Sequence, residues 1–132
     1  MEIYRVSRAF PLHEKYSLTD QIRRSSRSVC ANLREAWAKR RYEAHFISKL
    51  TDADGENSET DTWLDFARST ELIDSLTHSK LTDLSREIGA MIGQMIKNPE
   101  PFLQDHKSPE TRKQRSEVRS QRSDVRPPAA DS

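Results

Sequence analysis

The stretch FISKLTDADGENSETDTWLDFA, residues 46–67, decides the fold. Its apolar and small residues recur at alternating spacings of four and three positions, which is typical of the buried seam of a packed α-helix. Several seam side chains are small or polar, so we predict that a neighbouring helix approaches closely here. The seam positions are Phe46, Leu50, Ala53, Asn57, Thr60, Leu64 and Ala67, and the acidic outer face carries Asp52, Glu56, Glu59, Asp61 and Asp65.

The preceding stretch, YSLTDQIRRSSRSVCANLREAW at residues 16–37, predicts a helix with one apolar and one basic side. Ser17 and Asp20 form a helix-start signal. The apolar residues share a sector of about 60°, and four arginines, here called the arginine stripe, share about 40° on the opposite side. The apolar residues are Leu18, Ile22, Val29, Leu33 and Ala36, and the stripe is Arg23, Arg27, Arg34 and Arg41. Because Arg40 would enter the apolar sector, we predict that the helix ends near Trp37–Lys39.

Two further helices are predicted on either side of this pair. A short first helix stops at Pro11, and a fourth helix follows a loop around Ser69–Ser79 and stops at Asn98-Pro99. The first helix carries Ile3, Val6 and Phe10, and the fourth carries Leu81, Leu84, Ile88, Met91, Ile92 and Met95. The candidate core and interface residues are Leu18, Ile22, Val29, Leu33, Phe46, Leu50, Leu64, Leu84 and Ile88.

The charge of the chain is segregated along its length. Of 132 residues, 33% are hydrophobic, 33% are charged and only 3 are glycine, which fits a small helical domain and argues against a turn-rich β fold. Residues 1–50 hold 11 Lys and Arg against 5 Asp and Glu, whereas residues 51–103 hold 4 against 11. Such segregation indicates that one charged face pairs with another face, another subunit or a polyanion.

The class of protein is narrowed by what the sequence lacks. Cys30 is the single cysteine, so an intramolecular disulfide cannot form. No apolar run approaches the roughly 20 residues of a membrane span, and the N-terminus carries no apolar signal stretch. We therefore expect a cytoplasmic protein without membrane contact.

The character of the chain changes after Leu103. Residues 104–132 are polar, rich in Ser and Arg, and contain a short repeat, RSEVR at 115–119 and RSDVR at 122–126. Too few apolar residues are present to offset the entropy of ordering such a segment. We predict a bundle domain at 1–103 and a disordered, passive Arg/Ser-rich tail at 104–132, whose arginines could also touch RNA.

A family resemblance lies in FPLHEKYSLTDQIRRSSRSVCANLREAWAKRRYEAHFISKL (10–50), ETDTWLDFA (59–67) and MIKNPEPFL (95–103). These segments resemble the four helix bundle proteins related to the 23S rRNA intervening-sequence protein. The resemblance covers about residues 1–103. It implies an all-α, antiparallel up-and-down four-helix bundle, with a helix 1 that is shorter here than is usual in the family.

The same resemblance implies a homopentamer of mostly uncharacterised function. A similar protein is the accessory variability determinant of diversity-generating retroelements, a basic pentameric barrel that contacts reverse transcriptase and nucleic acid. This suggests an RNA or a reverse-transcriptase-type protein as a partner. The basic positions of this chain that match are Arg23, Arg24, Arg27, Lys39, Arg40 and Arg41.

The arginine stripe has two interpretations from sequence. It could be a solvated face, or one that forms salt bridges with the acidic face of the third helix in the same or a neighbouring subunit. It could equally be a linear cationic strip for phosphates, which would read charge and shape but not base sequence. Trp37, next to Lys39–Arg41, is a weaker candidate for base stacking.

Other chemistry is not indicated. The four histidines lack the i,i+3 or i,i+4 spacing of a metal site, and no His lies in the second helix to activate its serines. No cofactor, small-molecule substrate or enzymatic activity is therefore expected. The sequence predicts a non-enzymatic, oligomeric scaffold that presents Arg23, Arg24, Arg27, Arg34, Lys39, Arg40 and Arg41 to RNA or an RNA–protein complex. The alternative is a protein–protein interaction module whose basic and acidic faces pair between subunits, with no nucleic acid bound.

Overall fold

The computed structural model describes residues 1–104, and within that range the regular secondary structure is all helical, with no strand. The four α-helices are α1 (Glu2–Ser7), α2 (Asp20–Ala38), α3 (Glu43–Ser69) and α4 (Ser75–Lys97). Short helical turns cover Leu12–Glu14, Lys15–Thr19 and Glu100–Phe102. The predicted all-α class with a short first helix is confirmed. The predicted tail lies, apart from Gln104, outside the described residues.

The long helices form an up-and-down arrangement around α3. Short connections join α2 to α3 and α3 to α4, so consecutive helices run antiparallel and pack side by side. The α3 helix contacts both neighbours, whereas α1 packs mainly against α2. The central position of α3 explains why its sequence carries the clearest seam. All seven predicted seam residues are buried.

Two helix boundaries differ from the sequence prediction. The first helix ends at Ser7, before Phe10, and α2 begins at Asp20 after a π-helical turn. The Ser17 hydroxyl does not cap α2; it donates a hydrogen bond to the Glu14 carboxylate over 2.6 Å. The backbone is already helical at Thr19, so no free N-terminal amide is left there for Ser17 to cap. The predicted end of α2 near Trp37–Lys39 and the stop of α4 at Asn98 are confirmed.

The connection between α3 and α4 is shorter than the predicted loop of Ser69–Ser79. The amides of Glu71 and Leu72 bond back to the carbonyls of Arg68 and Ala67, which closes the C-terminus of α3 as a Schellman motif. Glu71 has a φ of 61°, a left-handed conformation that the motif requires. The Asp74 carboxylate then accepts the Thr77 amide over 2.7 Å and starts α4, and this bond lowers the pKa of Asp74.

Two apolar clusters fill the bundle, one at each end. Most predicted core residues are buried in them, but Leu33 and Ile88 are only partly buried, and Leu84 is 41% exposed. Leu84 is a predicted core or interface residue, but it lies at the rim, because no helix within residues 1–104 covers that side of α4. One cluster contains Leu18, Ile22, Leu64, Ala67, Ile73 and Leu81, and the other contains Val29, Ala36, Phe46, Leu50, Ala53 and Ile92.

A layer of buried polar side chains provides further contacts between the helices. The hydroxyls of Ser25 on α2 and Thr60 on α3 lie 2.8 Å apart. The Asn57 amide donates to the Ser85 carbonyl on α4 over 2.8 Å and accepts the Ser85 hydroxyl over 3.3 Å. A Cβ at Gly89 would lie 3.4 Å from the Asn57 amide nitrogen, which is an ordinary van der Waals contact, so α4 packs directly against Asn57 at this level. The layer explains the small and polar residues in the seam.

We predict that Asn57→Ala lowers the free energy of unfolding by about 1–3 kcal/mol, because it leaves the buried Ser85 groups without partners. Urea unfolding followed by circular dichroism measures the loss. The matched control is Thr51→Ala, an exposed threonine on the same helix that bonds only to the Ile47 carbonyl, and its effect should stay within about 0.5 kcal/mol. Equal effects of the two substitutions would contradict a stabilising role for the layer.

Candidate nucleic-acid interface

Three members of the arginine stripe, Arg23, Arg27 and Arg34, lie along the side of α2 that α3 does not cover. The predicted helical alignment of Arg41 with them is wrong, because α2 ends at Ala38. Arg23 and Arg27 contact α1. The Arg23 Nε donates to the Ser7 hydroxyl over 2.8 Å, and the guanidinium groups of Arg23 and Arg27 lie 4.5 and 5.6 Å from the centroid of the Tyr4 ring. These cation–π contacts hold the two side chains against α1 without neutralising their charge.

Arg24 points about 100° away from Arg23 around the axis of α2 and forms ion pairs with α3. Its guanidinium contacts the Glu56 carboxylate at 3.2 Å and also pairs with Glu59. The hydrogen bond to Glu59 raises the pKa of Arg24, and the same bond lowers the pKa of Glu59. Arg24 is not a member of the arginine stripe, and it forms an intramolecular salt bridge with the acidic face of the third helix.

The remaining predicted basic residues of α2 and the connection after it have no carboxylate partner within residues 1–104. Arg34, Lys39 and Arg41 are exposed, and no ion pair involves them in this range. The nearby Glu35 carboxylate bonds instead to the Lys49 ammonium over 2.9 Å, which lowers the pKa of Glu35 and raises that of Lys49. Positive charge thus accumulates toward the C-terminal end of α2.

The connection from α2 to α3, here called the α2–α3 corner (residues 37–45), combines this charge with aromatic rings. The Arg40 guanidinium lies 3.8 Å from the centroid of the Trp37 ring, which is a stacked cation–π contact. Trp37 and Tyr42 are 48% and 59% exposed. The Tyr42 and His45 rings are 5.7 Å apart. The prediction that Arg40 leaves the helical phase of α2 is confirmed, since α2 ends at Ala38.

An apolar groove runs between α2 and α4. It has a volume of about 680 Å³ and its floor is formed by the middle of α3. Arg23 and Arg27 lie on its α2 rim, Leu84 and Ile88 lie on its α4 rim, and Met1 lies at one end. Met91, farther along α4, is 61% exposed. The uncovered sides of α2 and α4 therefore expose both charge and apolar surface.

The described part of the chain contains neither a cluster of metal ligands nor a helix that could span a membrane. Residues 1–104 contain no group of three or more His, Cys, Asp or Glu side chains that could hold a metal ion. None of the helices in this range is both long and apolar enough to cross a bilayer.

Comparison with known proteins places this architecture in a family. The sequence profile of the family described as 23S rRNA-intervening sequence protein matches residues 1–94. The chain belongs to this family. A comparison with curated proteins finds no match.

A solved member of the same group shares the fold. It is a protein of unknown function from the S23 ribosomal protein family of Bacteroides thetaiotaomicron, 32% identical in sequence, with a TM-score of 0.67. The match covers 73% of this chain and 86% of the Bacteroides chain. The family description names a 23S rRNA intervening sequence, and the solved relative adds a fold without an assigned activity.

Sequence reasoning did not identify the partners of the individual arginines. Tyr4 and Ser7 lie on the short first helix, where no motif marks them as contacts of α2. Arg24 pairs with Glu56 and Glu59 because of the relative rotation of α2 and α3, which the sequence does not give. One signal was available: Arg23 and Arg24 are adjacent, so they point about 100° apart and only one of them can share the stripe.

We predict that Glu59→Gln lowers the melting temperature at neutral pH and that this difference disappears on acidification. The ion pair with Arg24 depresses the pKa of Glu59 below its ordinary value of 4.5. Its contribution, below about 1 kcal/mol for a pair this exposed, is therefore present above that value and lost as the pH falls through the lowered pKa. Thermal unfolding of both proteins from neutral pH to about pH 3 measures it.

The control for this pH series is Asp83→Asn, whose carboxylate is exposed and 4.0 Å from Arg86. Its melting temperature should follow the wild type at every pH. Glutamine keeps an acceptor for the Trp63 indole, which bonds to the Glu59 carboxylate over 3.2 Å. A difference between Glu59→Gln and wild type that does not change with pH would contradict the ion-pair explanation.

Proposed function

We propose that the protein is a non-enzymatic, RNA-associated scaffold that presents the arginine stripe and the α2–α3 corner to RNA or to an RNA–protein complex. The observation that carries the proposal is the uneven pairing of charge in residues 1–104. Arg24 and Lys49 have carboxylate partners, whereas Arg34, Lys39 and Arg41 have none. Membership of a family named for an rRNA intervening sequence supports the same conclusion.

The geometry of the stripe suits a phosphate backbone. Arg27 and Arg34 are separated by two helical turns, a distance of about 10 Å along α2. Cations in such a line contact successive phosphates, and these contacts carry no information about base sequence. We therefore propose recognition of RNA charge and shape. If the protein assembles as the homopentamer implied by the family resemblance, each ring repeats the strip and the contributions combine.

The structure refines which residues belong to the proposed surface. Arg24 is neutralised by Glu56 and Glu59, so we remove it from the predicted set. Arg23 and Arg27 remain charged but are anchored by Tyr4. Arg34 and Arg41 are the best residues to test, because their side chains make no hydrogen bond or ion pair within residues 1–104 and their removal leaves the contacts of the bundle intact.

We predict that an Arg34→Ala/Arg41→Ala variant binds a labelled structured RNA more weakly than wild type, with a shallower salt dependence. Each lost phosphate contact reduces the slope of log K against log salt by about 0.7–0.9, so the double variant should lose about 1.4–1.8. Fluorescence anisotropy across a salt series measures both quantities. The control is Lys80→Ala/Lys97→Ala, which removes the same charge from exposed positions on α4.

Two results would contradict this proposal. One is the absence of binding at low salt by the wild-type protein. The other is an equal loss in the stripe and control variants, which would show that net charge alone determines binding.

A second candidate function, a protein–protein interaction module, is supported by the apolar groove and its exposed rim. Leu84 and Met91 leave a partly apolar face on α4, beside the groove of about 680 Å³. Together with the unpaired arginines of α2, this face could join subunits, with stripe arginines pairing to carboxylates of a neighbouring α3 and no nucleic acid bound.

The two candidate functions predict different effects of salt on the mass of the RNA-free assembly. If stripe arginines pair with carboxylates between subunits, we expect sedimentation velocity to show that the assembly dissociates at high salt and in the Arg34→Ala/Arg41→Ala variant. If the stripe faces RNA, the mass of the RNA-free protein should be the same for variant and wild type at all salt concentrations. A monomer in every condition would contradict an oligomeric scaffold of either kind.

A further inference from the structure

We propose that the α2–α3 corner binds unpaired nucleotides, with bases stacking on Trp37 and Tyr42 and phosphates contacting Lys39 and Arg41. This inference rests on the proposed RNA association and specifies its ligand as single-stranded RNA. It concerns a different surface chemistry from the stripe, because a helix face of arginines offers charge alone. The corner offers charge together with aromatic rings.

The first observation is the exposure of two large aromatic side chains at one turn of the chain. Trp37 is in the last turn of α2 and Tyr42 is the residue that precedes α3, and about half of each side chain is exposed. The Arg40 guanidinium covers one face of the Trp37 ring. About half of Trp37 remains exposed beside this contact, which leaves ring surface on which a base can stack.

The second observation is that no carboxylate within residues 1–104 forms an ion pair with a cation of this corner. Lys39 and Arg41 flank Arg40, and none of the three forms an ion pair in that range. Glu35 is bonded to Lys49. The exposed Glu43 sits in the first turn of α3, where its charge interacts favourably with the helix N-terminus.

The third observation is that the corner is held by backbone hydrogen bonds. The Lys39 amide donates to the Glu35 carbonyl over 3.0 Å, and the Tyr42 amide donates to the Lys39 carbonyl over 3.0 Å. The Gln104 amide donates to the Arg40 carbonyl over 3.0 Å. The backbone bearing the aromatic rings is therefore fixed before a ligand binds, which reduces the ordering entropy lost on binding.

The chemistry of these groups favours single-stranded over duplex RNA. Stacking on a protein ring requires a base whose face is free, and the bases of a duplex already stack on one another. Each base stacked on an aromatic side chain contributes enough to change affinity about fivefold or more. Since every base has such a face, the site should bind unpaired segments with little sequence preference.

The experiment uses the full chain. The sequence has 2 tryptophans, and Trp63→Phe removes one of them, so that the fluorescence reports on Trp37. The probes are a uridine homopolymer and an RNA hairpin of equal phosphate number whose loop is a non-nucleotide linker, so that the hairpin has no unpaired base. We expect the homopolymer to quench Trp37 fluorescence and the hairpin to bind without quenching. In the wild-type background, Trp37→Leu/Tyr42→Leu should weaken homopolymer binding about tenfold or more while hairpin affinity is unchanged.

Two further variants make the result specific. Trp37→Phe keeps a stacking ring and should restore most of the affinity lost in Trp37→Leu. Tyr16→Leu is the matched control, because Tyr16 is also exposed, at 77%, and also lies near a cation, the Lys15 ammonium at 5.4 Å. It should leave binding of both probes unchanged.

The outcomes separate the two proposals. Equal affinity for homopolymer and hairpin, with no quenching of Trp37, would overturn the single-strand site and leave the stripe proposal standing. Loss of hairpin and homopolymer binding together in Trp37→Leu/Tyr42→Leu would also overturn it, since stacking acts only on unpaired bases. Failure of the wild-type protein to bind either probe at low salt would overturn both proposals.

Discussion

The structure depends on the way α3 is held between two neighbours by a seam that is apolar at its ends and polar in its middle. Asn57 and Thr60 bond to opposite neighbours, one to Ser85 on α4 and the other to Ser25 on α2. Apolar packing alone would tolerate sliding of one helix past another. These directional bonds are lost if either neighbour shifts by one turn, so they fix the register of α2 and α4 relative to α3.

That register determines which charges meet. The α2 helix runs antiparallel to α3, and its rotation is set by burial of Ile22, Ser25 and Val29. Arg24 then points toward Glu56 and Glu59, while Arg23, its immediate neighbour, points toward α1. A single residue step along the helix separates a neutralised guanidinium from one that keeps its free charge.

Helical periodicity was sufficient to predict most of the fold and insufficient to predict the contacts of the site. The α3 seam and the ends of α2 and α4 follow from local spacing and from Asn98-Pro99, which act within one helix. Leu84 fitted the same spacing but is exposed, because burial also depends on whether another helix covers that side of α4. The stacking of Arg40 on Trp37 depends on the backbone after α2, where helical periodicity no longer applies.

The distribution of acidic residues along α3 explains why positive charge remains at the corner. After Glu43 in the first turn, the next acidic residue is Asp52, nine residues or about 13 Å farther along α3. Because α2 and α3 are antiparallel, Glu56 and Glu59 lie beside the N-terminal half of α2, where they pair with Arg24. Within residues 1–104, no α3 carboxylate forms an ion pair with Lys39 or Arg41. The same helix that completes the core thus neutralises one end of the basic surface and leaves the other end available to a polyanion.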